Sequence, residues 1–130
     1  VKRGTKVKAS ELANYPFVSR EEGSGTREVV EKYFTKREID DDSINIIMEF
    51  GSPESIKSAV TAGLGVSILS IATVAKELAL GSLVAVPLSP PIRRTFSIVY
   101  QRQKFRLRAM EEFLEYAREH CASRQRPKPL

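Results

Sequence analysis

A chain of 130 residues has the length of one ordinary domain, enough to bury a core without disulfides or a structural metal. Its 42% hydrophobic and 28% charged residues match a globular domain rather than a disordered or collagenous chain. A single cysteine, Cys121, and a single histidine, His120, exclude an internal disulfide and a Cys/His zinc cluster, and a histidine-based triad would have to rest on a residue beside that cysteine near the end of the sequence.

Residues 1–8 are basic, polar and aperiodic, and read as a loop or linker. Asn14-Tyr15-Pro16 is a turn, because proline fixes its own φ and pushes the preceding residue out of the helical region. Phe17-Val18-Ser19 then reads as a short strand. The Gly/Ser-rich stretch 22–26 delivers a cap to a helix expected from about Thr26 to Lys36, with Val29, Val30, Tyr33 and Phe34 on one face. After the acidic loop 40–42, Ile44, Ile46, Met48 and Phe50 alternate as in a strand, with Ile47 on the other face, as expected when both faces are covered.

Gly51-Ser52-Pro53-Glu54 is the strongest local signal: Ser52 as N-cap and Pro53 at the first helical position, where its missing N–H is harmless. That helix should bury Ile56, Ala59 and Val60 and end at Gly63 in the left-handed cap position. A strand over 66–69 follows, then a third helix capped by Ser70, carrying Val74, Ala75 and Leu78 and closed by Gly81. Strands are expected at 83–86 and, beyond Pro87 and Pro90-Pro91, at 95–100. A final helix from about Arg106 to Glu119 places Leu107, Met110, Phe113, Leu114 and Ala117 on one stripe. Tyr33, Phe34, Phe96 and Phe113 read as core residues. The uncharged stretch 58–75 is no membrane span: its glycines, serines and threonines read as a helix stop followed by a buried strand. No signal peptide is visible.

Strands separated by helices imply parallel pairing with right-handed crossovers, hence an α/β class, an open mostly parallel sheet flanked by helices. In such sheets ligands bind beyond the carboxyl ends of the strands. That puts residues 19–26, 51–54 and Ser70 on the ligand side and residues 63–65 on the opposite edge. Two strand-to-helix turns aim helix N-termini at the crevice, where free N–H groups and the positive dipole end suit a carboxylate, sulfate or phosphate. Ser24 and Ser52 would serve equally as plain helix caps. Gly23-Ser24-Gly25-Thr26 lacks a Walker lysine and the third glycine of a dinucleotide fingerprint. Arg20, Glu21 and Glu22 read as surface or hinge residues rather than an acid/base pair. No catalytic residue, metal or cofactor is called for.

The net charge of +5 does not signal nucleic acid. Residues 1–10 carry four basic and no acidic side chains, 11–80 seven and twelve, and 81–130 ten and four. The basic excess thus lies at the two ends, whereas a DNA-binding face gathers Lys and Arg on one folded surface.

Three segments together carry a family resemblance: Phe17 to Arg27 (FVSREEGSGTR), Glu49 to Ser70 (EFGSPESIKSAVTAGLGVSILS) and Leu78 to Val86 (LALGSLVAV). They resemble the effector-binding region of LysR-type transcriptional regulators, over about Leu12 to Tyr116. The resemblance implies one lobe of a type 2 periplasmic-binding-protein-like fold, a second lobe with its return segment and terminal helix, lacking the winged helix-turn-helix and most of the first lobe. It implies residues 1–11 as a linker from an upstream lobe, 12–121 as the regulatory lobe and 122–130 as a flexible tail. The expected ligand is a small anionic metabolite bound between lobes. The family commonly contacts its effector through the serine or threonine opening the helix after the second strand, which carries over to Ser52 with Gly51 and Pro53. Ser19, Ser24 and Thr26 line the neighbouring wall on looser positional grounds. The expected setting is cytoplasmic, without membrane contact or direct DNA binding by this stretch, and with self-association through surface a first lobe would cover. The alternative is a solute-binding lobe of a periplasmic transport protein.

Overall fold

The computed structural model describes residues 6–100 and 107–122. They fall into two compact units, one through Thr95 and one from Phe96 onward. Of the expected tail, all but Ala122 lies outside the described residues, as does most of the 1–8 loop.

In the first unit, Phe17–Arg20 forms a strand, here β2, since Val7–Lys8 precedes it as β1. Strand β2 pairs in parallel with β3, Ile46–Phe50, and the register sets Ser19 against Glu49 and Arg20 against Phe50. On its other side β2 meets Val66 in a parallel bridge: the Val66 amide donates to the Pro16 carbonyl and the Val18 amide to the Val66 carbonyl, both at 2.9 Å. Side chains alternate across a strand, and β2 uses both faces. Phe17 packs with Val30, Tyr33 and Phe34 of α1, Gly25–Thr35, while Val18 packs with Ile56 and Ala59 of α2, Pro53–Thr61. This gives helix on sheet on helix with parallel strands, the α/β arrangement expected.

Several expected elements form differently. Val7–Lys8 is not loop but β1, paired in parallel with β4, Leu88–Ser89, and Val7, Ala9 and Leu12 are buried. Three apolar residues spaced over six positions suit the short 3-10 helix Ala9–Asn14 that follows, a pattern too brief to register as periodic. The strand expected from Ile44 starts at Ile46. Ile46, Ile47 and Met48 are exposed, so β3 is not covered on both faces, and among the described residues it pairs with β2 alone. Residues 66–69 contribute one bridge rather than a ladder.

Ser70 caps no helix. The chain turns there, with the Thr73 amide donating to the Ser70 carbonyl, and α3 runs Ala75–Leu80 behind Val74 with no side-chain cap. It stops as expected at Gly81, whose φ is +71°. The strand expected at 83–86 is absent and the pairing moves to Leu88–Ser89, where β1 supplies a partner. Residues 95–100, where the first unit ends and the second begins, carry no ladder among the described residues. Alternation alone makes no strand without a neighbour to bond. Phe96 is accordingly 79% exposed rather than core. Helix α4 runs Arg108–Ala122. Of its stripe Leu114 and Ala117 are buried, while Leu107 and Phe113 are exposed.

One ion cluster ties α3 to α2. Lys57, nearly buried, places Nζ 2.8 Å from Glu54 and 2.8 Å from Glu77, and donates to the Thr73 carbonyl at 3.4 Å. Hydrogen bonding to Glu54 and then Glu77 raises the Lys57 pKa, and Lys57 in turn holds the Glu77 carboxyl below its ordinary range. A depressed carboxyl stabilises the fold above its unfolded value, and that contribution is lost as pH falls through the folded one. The raised lysine contributes fully below its unfolded value and loses this as pH rises through the folded one. Both are present at neutral pH. Melting temperature followed from neutral into acid should therefore fall more steeply for the parent than for Glu77→Gln, and equal slopes would show that the Lys57 pair contributes nothing to acid stability.

Candidate functional site

The register that sets Arg20 against Phe50 brings the β2–α1 and β3–α2 turns to one edge of the sheet. Both expected caps are in place. Ser52, half-buried, accepts from the Ser55 amide at 3.1 Å and lies 3.0 Å from the Ser55 hydroxyl. Ser24, buried, accepts from the Thr26 amide at 3.3 Å. Gly51 is exposed, and Pro53 and Thr26 are half-buried. Ser19 points to the α1 face: it is buried, its Oγ donates to the Arg20 carbonyl at 3.1 Å, and it lines a small cavity of ≈ 80 Å³ together with Arg27 and Phe34. The turns therefore bring Ser24 and Thr26 to the same edge as Gly51, Ser52 and Pro53, while Ser19 lies one layer below. Ser70, also expected on the ligand side, sits in the turn before α3 and caps nothing.

The first-turn amides show what each helix can still offer an anion. In α2, Pro53 has no N–H, the Ser55 amide goes to Ser52 Oγ and the Ile56 amide to the Ser52 carbonyl at 3.3 Å. The Glu54 amide and one serine hydroxyl hydrogen remain, since Ser52 and Ser55 use the other between them. In α1, the Thr26 amide goes to Ser24 Oγ and the Glu28 amide to the Ser24 carbonyl at 2.9 Å, leaving the amides of Gly25 and Arg27. These donors sit at positive helix ends, so an acceptor-only group suits both.

Two arginines that the sequence did not single out shape this edge. Arg27, in the first turn of α1, donates through Nη1 to Glu49 at 2.6 Å and to the Arg20 carbonyl at 3.2 Å, and through Nε to Glu31 at 2.7 Å. Hydrogen bonding to Glu31, then Glu49, raises its pKa further. Arg94 lies over Gly25: a Cβ on that glycine would stand 3.0 Å from Arg94 Nη2. Its positive charge also helps lower the Glu28 pKa, behind the larger effect of hydrogen bonding to Lys32. The Arg27–Glu31 spacing is a legible helical pair, but nothing local in the sequence places Arg94 at a helix start 69 positions earlier. Glu21, an acid/base candidate in principle, is engaged by Arg20 through two contacts of 2.7 and 2.8 Å and is held ionised by that bonding. An ionised carboxylate locked to its neighbour is a surface pair, not a poised acid.

The LysR substrate binding domain family matches residues 1–122. The chain belongs to that family. Similar curated proteins include the HTH-type transcriptional activator CmpR of Synechocystis sp. strain PCC 6803, 37% identical over 116 residues, which cover 88% of this chain and 37% of that protein. Another is the RuBisCO operon transcriptional regulator of Acidithiobacillus ferrooxidans, 37% identical over 111 residues, 85% of this chain and 35% of that protein. Among solved structures, the regulatory domain of Synechocystis PCC6803 CcmR in complex with 2-PG superposes with a TM-score of 0.78 at 28% identity, covering 96% of this chain and 58% of that one. The LysR-family chain thus spans little more than a third of the length of these curated relatives. Their names are those of transcription regulators, and the transport-protein alternative is dropped. Among the described residues no helix is long and apolar enough to cross a membrane, and no group of three His, Cys, Asp or Glu residues could hold a metal ion.

Proposed function

We propose that this chain is the effector-sensing lobe of a LysR-type transcriptional regulator, with residues 12–121 as the regulatory lobe. A small anionic metabolite binds at the edge formed by the β2–α1 and β3–α2 turns, against a partner lobe, and biases how a separate helix-turn-helix domain engages DNA. The observation that carries this reading is the convergence of two serine-capped helix N-termini at the carboxyl ends of adjacent parallel strands, with family membership supplying the regulatory context. Ser52, Gly51 and Pro53 form one wall, and Ser24 and Thr26 the other. Ser19 supports that wall from below. The chain itself makes no specific DNA contact, and the assembly is a self-associating cytoplasmic regulator. The lobe acts by differential binding: the ligand shifts the regulator toward whichever lobe arrangement it binds more tightly.

The test is a thermal-shift screen of organic acids on the regulator, with 2-PG included because the CcmR domain binds it, since a ligand that binds the native state raises apparent stability with the logarithm of its saturation. Ser52→Ala should lose roughly 1 kcal/mol of stability from the cap and about 1.5–3 kcal/mol of anion affinity from one charge-assisted bond. Calorimetric titration beside a melting curve separates the two. If the melting temperature falls while affinity for the best acid is unchanged, Ser52 is a cap only, and the proposed wall is wrong.

A further inference from the structure

At the far end of α1 from the Ser24 turn lies a cleft of ≈ 580 Å³ lined by Lys8, Ser10, Lys36, Arg37, Ser89 and Pro90 above an apolar floor of Ala9 and Ile39. Eleven helical residues separate the two places, about 16 Å at 1.5 Å per residue, so this is not the edge assigned above. Its lining contains three cations and no carboxylate. None of the three makes an ion pair among the described residues, whereas Arg20, Arg27, Lys32, Lys57 and Arg108 all do. The C-terminal carbonyls of α1 favour cations at Lys36 and Arg37, but Lys8 arrives from β1, a separate element.

Arg37 is already held in place. Its Nη1 donates to the Tyr33 carbonyl at 3.0 Å and its guanidinium lies 3.6 Å over the Tyr33 ring. The Tyr33 hydroxyl donates to the carbonyl of Pro90, on the opposite wall, at 2.7 Å. Arg37 Nε is buried without an acceptor, an arrangement that native proteins rarely leave uncompensated. One fixed guanidinium, two exposed lysines and two exposed serines line the cleft, contributed by β1, the 3-10 helix, the end of α1 and β4. A planar carboxylate uses one or two such groups, whereas a phosphoryl dianion presents three terminal oxygens.

We propose that this cleft is a second anion site, selective for a phosphoryl dianion, either inorganic phosphate or a phosphate monoester. It is separate from the effector edge and stands whether or not that reading holds.

The experiment titrates the 15N-labelled chain with inorganic phosphate, and separately with glycerol phosphate and acetate at matched ionic strength, following backbone amides. Saturable shifts are expected at Ser10, Lys36, Arg37 and Ser89, with acetate at least about tenfold weaker. Stronger binding of glycerol phosphate than of inorganic phosphate identifies a monoester site, and the reverse identifies a free-phosphate site. Lys8 and Lys36 are exposed, so the double variant Lys8→Gln, Lys36→Gln keeps the fold and should weaken phosphate binding at least about tenfold. Shifts confined to the Ser24 and Ser52 turns, equal response to acetate, or binding unaltered in the double variant would each overturn the proposal.

Discussion

Ile56→Ala is expected to cost about 2–5 kcal/mol of stability, the range for removing a branched side chain from a site that cannot collapse around the loss. Ile56 is 0% exposed and joins Val18, also 0% exposed, with Ala59 in the cluster between α2 and the sheet. Among the described residues Phe50, Val60 and Leu69, half-buried, are the further hydrophobics packed against this cluster, so few neighbours can move in to fill the space. A domain of this size has total stability on the order of 5–15 kcal/mol. Chemical denaturation should show a lower midpoint with an unchanged slope, whereas a loss below about 1 kcal/mol would mean that the second cluster contributes little to the fold.

The second large effect is expected at Gly65. Its backbone passes so close to the turn before β2 that an added Cβ would fall on the carbonyl oxygen of Pro16, with the Pro16 carbonyl carbon at 3.0 Å. That same oxygen accepts the Val66 amide at 2.9 Å, so nothing flexible can yield: relief requires separating the two backbones and breaking the bridge of Phe17 with Val66. Gly65→Ala should therefore cost about 1–3 kcal/mol, as overpacking does, and should expose the Val18 and Val66 amides to hydrogen exchange ahead of the rest of the sheet. Gly63→Ala, two residues away, is strained instead by its φ of +77° with open space around it, and should leave the bridge protected. Equal protection at Val66 in both variants would argue against the close approach as the reason for glycine.

The parts of the fold legible in the sequence are those whose cause is local. Ser52-Pro53 and Ser24 mark their helix starts because capping and a missing N–H act within one turn, and Gly63 and Gly81 mark stops because only a left-handed residue ends a helix that way. Expectation and structure part where a strand needs a partner from elsewhere. Residues 83–86 are a short apolar run and 95–100 alternate, yet among the described residues neither finds a strand beside it as 46–50 does, and β1 is invisible because two residues paired with Leu88 and Ser89 leave no period to read. The serines of the candidate edge were foreseeable for the same local reason. Arg94 was not, since its place over Gly25 depends on the whole path of the chain between them.

The grip of Arg27 on Glu49 and the Arg20 carbonyl has a kinetic meaning. A ligand that had to gather two independent loops would lose part of its binding energy to ordering them, and would meet a competent surface only in the fraction of molecules where both happened to be aligned. Here one guanidinium joins the first turn of α1 to the ends of both strands, so the two walls are aligned before any ligand arrives. The entropy of aligning them is spent when the chain folds. On the proposed reading of this edge, association there would be a matter of diffusion and charge steering rather than of waiting for rearrangement.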